Sequence, residues 1–141
     1  DVTLAPLSAT RVGTFTDAQL LHAANPRTTF AVFELFVDGN RVSRNLVFFA
    51  QPKDLALPVP HIRSRLAKTS DGCTLTLDSD TLAREVWVSF GGIDAEVSDN
   101  AFDILPGRQV ALTIRSSATL DALRKALKLE DVAGAMQGHT Q

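Results

Sequence analysis

Three histidines, one cysteine, one tryptophan and scattered serines, glycines and carboxylates are the residues of this 141-residue chain whose types could support chemistry. His22, His61 and His139 lie in three unrelated contexts without a second ligand at metal-binding spacing, so satisfied or exposed imidazoles are expected and no metal centre. No serine stands in Gly-x-Ser-x-Gly, and no Ser, His and Asp are brought together by spacing, which leaves nucleophilic catalysis unsupported. Gly91-Gly92-Ile93 lacks the further glycines and the helix start that cradle phosphate, and reads as the end of a strand. Cys73, in Cys73-Thr74-Leu75-Thr76-Leu77, falls at an inward position and is expected to be a small buried apolar residue; a single cysteine excludes an internal disulfide. Catalytic, cofactor-binding and metal sites are therefore left without candidates.

The elements that position these side chains follow from period and turn signals. In 85–90, Val86, Val88 and Phe90 alternate with Glu85, Trp87 and Ser89, and in 109–114 Val110, Leu112 and Ile114 alternate with more polar neighbours, so two half-buried strands are expected. Between them Leu105-Pro106-Gly107 reads as a tight corner, with Pro106 setting φ and Gly107 free to take φ > 0. Upstream, 28–37 is the longest β-prone run. Phe30, Val32 and Phe36 fall on one face and Ala31, Phe33, Leu35 and Val37 on the other, which predicts a central strand covered on both sides. Asp38-Gly39 predicts a hairpin into 41–50. Thr16 or Asp17 is a cap for a single helical turn, and 2–6 and 11–15 are short β-prone segments. Pro52, Pro58 and Pro60 make 51–71 a long connection, after which 72–77 alternates again and Ser79-Asp80-Thr81 turns. Leu120, Leu123 and Leu127 recur at helical spacing behind Thr119, predicting a short C-terminal helix over about 119–128 and a disordered tail over 130–141. Roughly seven or eight short strands with no βαβ alternation imply an all-β fold, an immunoglobulin-like antiparallel β-sandwich with a short C-terminal helix, in a single domain spanning 1–141.

Ser98-Asp99-Asn100-Ala101-Phe102-Asp103-Ile104-Leu105-Pro106-Gly107, preceded by 82–90, resembles the C-terminal immunoglobulin-like domain of β-mannosidases in glycoside hydrolase family two. A second resemblance lies at 45–58, in Asn-Leu-Val-Phe-Phe-Ala-Gln-Pro-Lys-Asp-Leu-Ala-Leu-Pro. The resemblance implies a non-catalytic domain with a structural or docking role, inside a parent enzyme that removes terminal β-D-mannose with retention and without a metal cofactor. Its implied partners are the remaining domains of that parent, with a homodimer through the parent left open. A periplasmic or other extracytoplasmic place is compatible with it, and the compartment stays unassigned.

Composition and length agree with that reading. A (β/α)₈ barrel takes about 250 residues and does not fit in 141. A net charge of −2 supplies no field for nucleic acid or an anionic membrane, and no stretch approaches the roughly 18 apolar residues of a span. The start at Asp1 reads like that of an excised domain.

A retaining glycosidase needs two carboxyl groups roughly 5–5.5 Å apart, which the family carries as glutamates on its barrel. Glu34, Glu85, Glu96 and Glu130 match none of the barrel's motifs, and Asp99, Asn100 and Asp103 are expected to shape a corner through backbone hydrogen bonds. The alternative is a carbohydrate-binding module. Sugar platforms are aromatic, yet the chain has no Tyr and eight Phe, of which Phe30, Phe33, Phe36, Phe48, Phe49 and Phe90 are expected in strand cores, so direct carbohydrate binding is not expected. Trp87 stands apart: it is a sugar platform, an anchor for docking against a neighbouring domain, or a core residue whose facing is reversed.

Overall fold

Alternation in 72–79 decides the arrangement of the second half of the chain. In strand Gly72–Ser79 the residues Cys73, Leu75, Leu77 and Ser79 are buried in turn, while their neighbours stay partly exposed. The computed structural model describes residues 5–70 and 72–138, and the chain divides into two compact units, Asp1–Ala56 and Leu57–Gln141.

The first unit holds helix α1 (Asp17–Leu21), strands β1 (Phe30–Val37) and β2 (Asn40–Phe48), and a 3₁₀ turn at Pro52–Asp54. Thr16 caps α1 reciprocally: its Oγ1 accepts from the Gln19 N–H (3.3 Å) and the Gln19 Oε1 accepts from the Thr16 N–H (2.8 Å). β1 and β2 pair antiparallel from Phe30↔Phe48 to Val37↔Asn40, across a turn in which Asp38 and Gly39 both take positive φ, as a two-residue primed turn requires. A bulge between Leu35 and Phe36 shifts the register. Glu34 accepts from Arg41 Nη1 (3.0 Å) and Arg44 Nε (3.1 Å), so charge is neutralised at the middle of the hairpin. The 3₁₀ segment is tied back by Arg27, whose Nε donates to Asp54 O (2.7 Å) and whose carbonyl accepts from the Ala56 N–H (2.9 Å). None of this unit's described residues is buried.

The second unit contains the core. Strands β3 (Ile62–Thr69), β4 (Gly72–Ser79), β8 (Val110–Arg115) and β6 (Glu96–Val97) form one sheet in the order β3-β4-β8-β6. The other sheet is β7-β5-β9, made of β7 (Phe102–Ile104), β5 (Ala83–Ser89) and β9 (Lys128–Glu130), and every pairing is antiparallel. Leu66, Cys73, Leu75, Leu77, Leu112 and Ile114 from the first sheet meet Ala83, Val86, Val88, Phe90 and Ile104 from the second, giving an immunoglobulin-like sandwich. Helix α2 (Leu120–Ala126) contributes Leu123 to that core; Thr119 Oγ1 accepts from the Ala122 N–H (3.2 Å) at its start, and Arg124 and Lys125 lie in its last turn.

Several expectations change. All 141 residues were expected in one domain, whereas the contacts divide at Ala56. Residues 51–71 contain an edge strand, β3. Its prolines all precede it, and only Ile62 and Leu66 face inward on a strand whose other side chains are charged or small, which weakens the sequence signal. β1 pairs with β2 alone among the described strands, and Phe33, Leu35, Phe36 and Val37 are exposed rather than covered. Of the phenylalanines expected in cores only Phe90 is buried; Phe30 and Phe48 instead form a cross-strand pair with ring centres 6.1 Å apart, and Phe49 is half-buried. Residues 11–15 form no strand, and residues 2–4 lie outside the described residues. The expected tail over 130–141 contains helix α3 (Val132–Gly138), started by Asp131, whose Oδ1 accepts from the Ala133 N–H (2.9 Å) and the Gly134 N–H (3.1 Å); residues 139–141 lie outside the described residues.

Two glycines carry distinct constraints. Gly107 has φ +68 after Pro106, with the Arg108 N–H donating to Leu105 O (3.1 Å), but a Cβ there would meet nothing within 4 Å. Gly72 has φ +139 and a Cβ would lie 2.5 Å from the backbone oxygen of Ile114. Gly107→Ala is expected to cost about 1 kcal/mol through its backbone conformation alone. Gly72→Ala should cost more, about 2 kcal/mol or above, because strain is joined by a clash that pushes β4 from β8. Equal denaturant midpoints for the two variants would show that the clash at β4 is relieved without loss.

Candidate interaction site

Within the second unit the Ser-Asp-Asn segment uses side chains where a strand would use its backbone. β7 pairs with β5 only at Ala83↔Ile104 and Val86↔Phe102. Beyond Phe102, Asn100 continues the ladder: its Oδ1 accepts from the Val88 N–H (2.7 Å) and its Nδ2 donates to Val88 O (3.2 Å), satisfying both backbone groups. Asp99 Oδ1 accepts from the Asn100 N–H (2.8 Å), and Ser98 Oγ accepts from the Thr113 N–H (3.0 Å) while its own N–H donates to Thr113 O (3.0 Å). Asp103 Oδ1 accepts from the Glu85 N–H (3.0 Å), where Glu85 takes φ +50 at the bulge in β5. All of these polar groups are engaged with the protein's own backbone.

Trp87 lies on the outward side of that strand. It is 50% exposed, opposite the buried Val86 and Val88, and its register partner on β9 is Glu130. Ser89 pairs with Lys128 on the same strand pair. Trp87, Ser89, Lys128 and Glu130 thus share the outward side of this strand pair, and helix α3 lies beside β5.

The remaining sequence candidates are dispersed. Glu34 belongs to the first unit, Glu85 to β5 and Glu96 to β6 in the opposite sheet; Glu85 and Glu96 are exposed and lie 3.4 Å from Arg84 Nη2 and Arg115 Nη1 respectively. Among the described residues no three His, Cys, Asp or Glu side chains gather at metal-binding distance. His22 closes α1 in a left-handed conformation, His61 stands just ahead of β3, and His139 lies outside the described residues. Cys73 is buried. Among the described residues no helix is long and apolar enough to cross a membrane.

A groove of about 590 Å³ runs between the edge of β3 and helix α2, lined by Ser64, Leu66 and Lys68 and by Leu120, Arg124 and Leu127. Arg124 Nη2 donates across it to Leu66 O (3.2 Å). Placing 51–71 in a connection hid it, although the alternation of Arg63 and Arg65 with Ile62 and Leu66 was the available signal.

Comparison with known proteins adds the lineage. The model of an Ig-fold domain (Ig_mannosidase) matches residues 57–135, and that of a mannosidase Ig/CBM-like domain matches residues 1–54. A search of curated proteins finds no match. Among solved structures, the crystal structure of a β-D-mannosidase from Dictyoglomus thermophilum aligns over 79% of this chain with a TM-score of 0.68 and 24% identity, a likeness of fold. The aligned part is 14% of that chain, so this sequence spans a small fraction of the enzyme it matches.

Two measurements probe the second unit. Trp87→Ala is expected to cost about 2 kcal/mol at most, since half of the residue already lies in water, and the indole emission should be red-shifted and quenchable by acrylamide. A blue emission or a loss of about 3–5 kcal/mol would place the ring in a core. Asp80 Oδ1 accepts from the His61 N–H (2.9 Å), which holds its carboxyl below the ordinary value of 3.8. Its contribution to stability is therefore present above that value and lost as pH falls through the lowered folded-state pKa. A carbon-detected titration should give a midpoint below 3.8 for Asp80, returning toward it when the chain is unfolded in urea.

Proposed function

This chain belongs to the mannosidase Ig-fold domain family, and we propose that it is a non-catalytic, C-terminal β-sandwich part of a β-mannosidase-like retaining glycoside hydrolase. The parent removes terminal β-D-mannose, and this chain serves it by docking against the other domains and holding their arrangement. The observation that carries this reading is the use of the family's polar signature. Ser98, Asp99, Asn100 and Asp103 each spend a side-chain oxygen on backbone groups of β5, β8 and the segment itself, which is structural work.

The carboxylates support the same conclusion. Retention requires a nucleophile and an acid/base roughly 5–5.5 Å apart, and those groups belong to the barrel of the parent. In this chain Glu85 and Glu96 sit on opposite sheets, both exposed and beside arginines. Docking has its own support in the exposed apolar residues, Phe33, Leu35, Phe36 and Val37 on β1 and Trp87 on β5, since such surface gains roughly 25 cal/mol per Å² when covered. Trp87 also favours a second reading, a carbohydrate-binding module with the indole as its platform.

The isolated chain is expected to hydrolyse no aryl β-mannoside and to show no mannose- or mannan-dependent change in its amide spectrum. Deleting it from the parent should lower the parent's unfolding temperature. Turnover by the isolated chain would refute the non-catalytic assignment, and saturable binding of manno-oligosaccharides that is lost in Trp87→Ala would replace docking with sugar binding.

A further inference from the structure

The groove between β3 and α2 has the features of a place for one more strand. β3 ends its sheet, with β4 on one side and no strand on the other among the described residues. In an antiparallel ladder the backbone groups of alternate residues point toward and away from the neighbour. Because Leu66 O accepts from Arg124 on α2, the Leu66 backbone points away from β4, and by alternation so do those of Ser64 and Lys68. These three residues line the groove, with Leu66, Leu120 and Leu127 as its apolar part.

Charge selects the occupant. Arg65, Lys68 and Arg124 line the same groove, and the nearby acid Asp121 is held by Arg124 at 3.1 Å. Neither Arg65 nor Lys68 has an ion-pair partner among the described residues. A second copy of β3 laid against this edge would bring Arg63, Arg65 and Lys68 beside their own kind, which disfavours self-pairing. An extended chain carrying carboxylates meets the opposite condition: its backbone pairs with Ser64, Leu66 and Lys68 while its acids reach the three cations.

Resting on the docking role above, we propose that this groove receives an extended acidic segment from another domain of the parent glycosidase, which adds to β3 as an outer strand. The segment displaces Arg124 from Leu66 O and offers it a carboxylate instead.

Hydrogen exchange compares the 141-residue chain alone with the parent that contains it. The amides of Ser64, Leu66 and Lys68 should exchange at least about tenfold more slowly in the parent, as edge amides do once they are paired. The combined variant Arg65→Glu, Lys68→Glu, both at exposed positions, should lose that protection with the fold retained. An eight-residue peptide of alternating Glu and Val should shift amides at 64–68 and 120–127 of the isolated chain, and a Lys-Val counterpart should not. Protection confined to Trp87 and its sheet face would overturn the groove while leaving docking in place; protection nowhere would overturn both. Equal shifts with the two peptides, or protection that survives charge reversal, would overturn the acidic occupant and leave the basic residues as guards against edge pairing.

Discussion

One carboxamide closes a gap on which the sandwich depends. β7 is only three residues long, and without help β5 would carry the backbone groups of Val88 unpaired beside a core in which Val86, Val88 and Phe90 are buried. Asn100 supplies both a donor and an acceptor at the distance a strand would. An unsatisfied buried amide or carbonyl costs about 1–3 kcal/mol, so this side chain protects more stability than its own contacts suggest. Asp103 performs the related task at the bulge, where Glu85 turns its N–H out of the ladder. A sheet of three short strands is thereby completed by side chains, and the outer face it presents carries Trp87.

The two units differ in kind. The second buries leucines and valines from both sheets and from α2 in a contiguous core. The first is a hairpin held by backbone pairing, the Glu34 ion pairs and aromatic contacts such as Phe15 with Phe33, 5.9 Å between ring centres. A two-stranded sheet alone is marginal in water, because conformational entropy outweighs what so little burial returns. The apolar residues Leu35, Phe36 and Val37 of β1 remain at least half exposed, so the described residues of this unit supply them little cover.

Much of the second unit was legible from residue order. The alternation through Val86, Val88 and Phe90, the Pro106-Gly107 corner and the cap at Thr119 each have a local cause, and each is present. The corner role of Asp99, Asn100 and Asp103 was also legible, because short polar side chains compete for nearby backbone groups. What escaped reading is non-local. β3 looks like a connection because an edge strand needs few inward apolar residues, and β9 is three residues whose only strong preference comes from lying beside β5. The phenylalanines of β1 were assigned to a core on hydrophobicity, which states what a side chain prefers and not what the surrounding chain supplies. The groove beside β3 is lined jointly by β3 and α2, whose Leu66 and Arg124 stand 58 residues apart in the chain, which no local pattern encodes.

The position of β5 also sets a timetable for the chain's birth. Both of its neighbours, β7 and β9, come from later sequence, and β9 arrives only after the whole of β8 and α2. Roughly 40 residues separate the end of β5 from the end of β9, and a ribosome adding about 5–20 residues per second needs about 2–8 s to deliver them. For that interval β5, with its buried-to-be valines, is an open edge of the kind that captures other strands. Asn100 emerges about a quarter of the way through this window, so the first protection a nascent β5 receives comes from a single side chain, before the strand on its other flank exists.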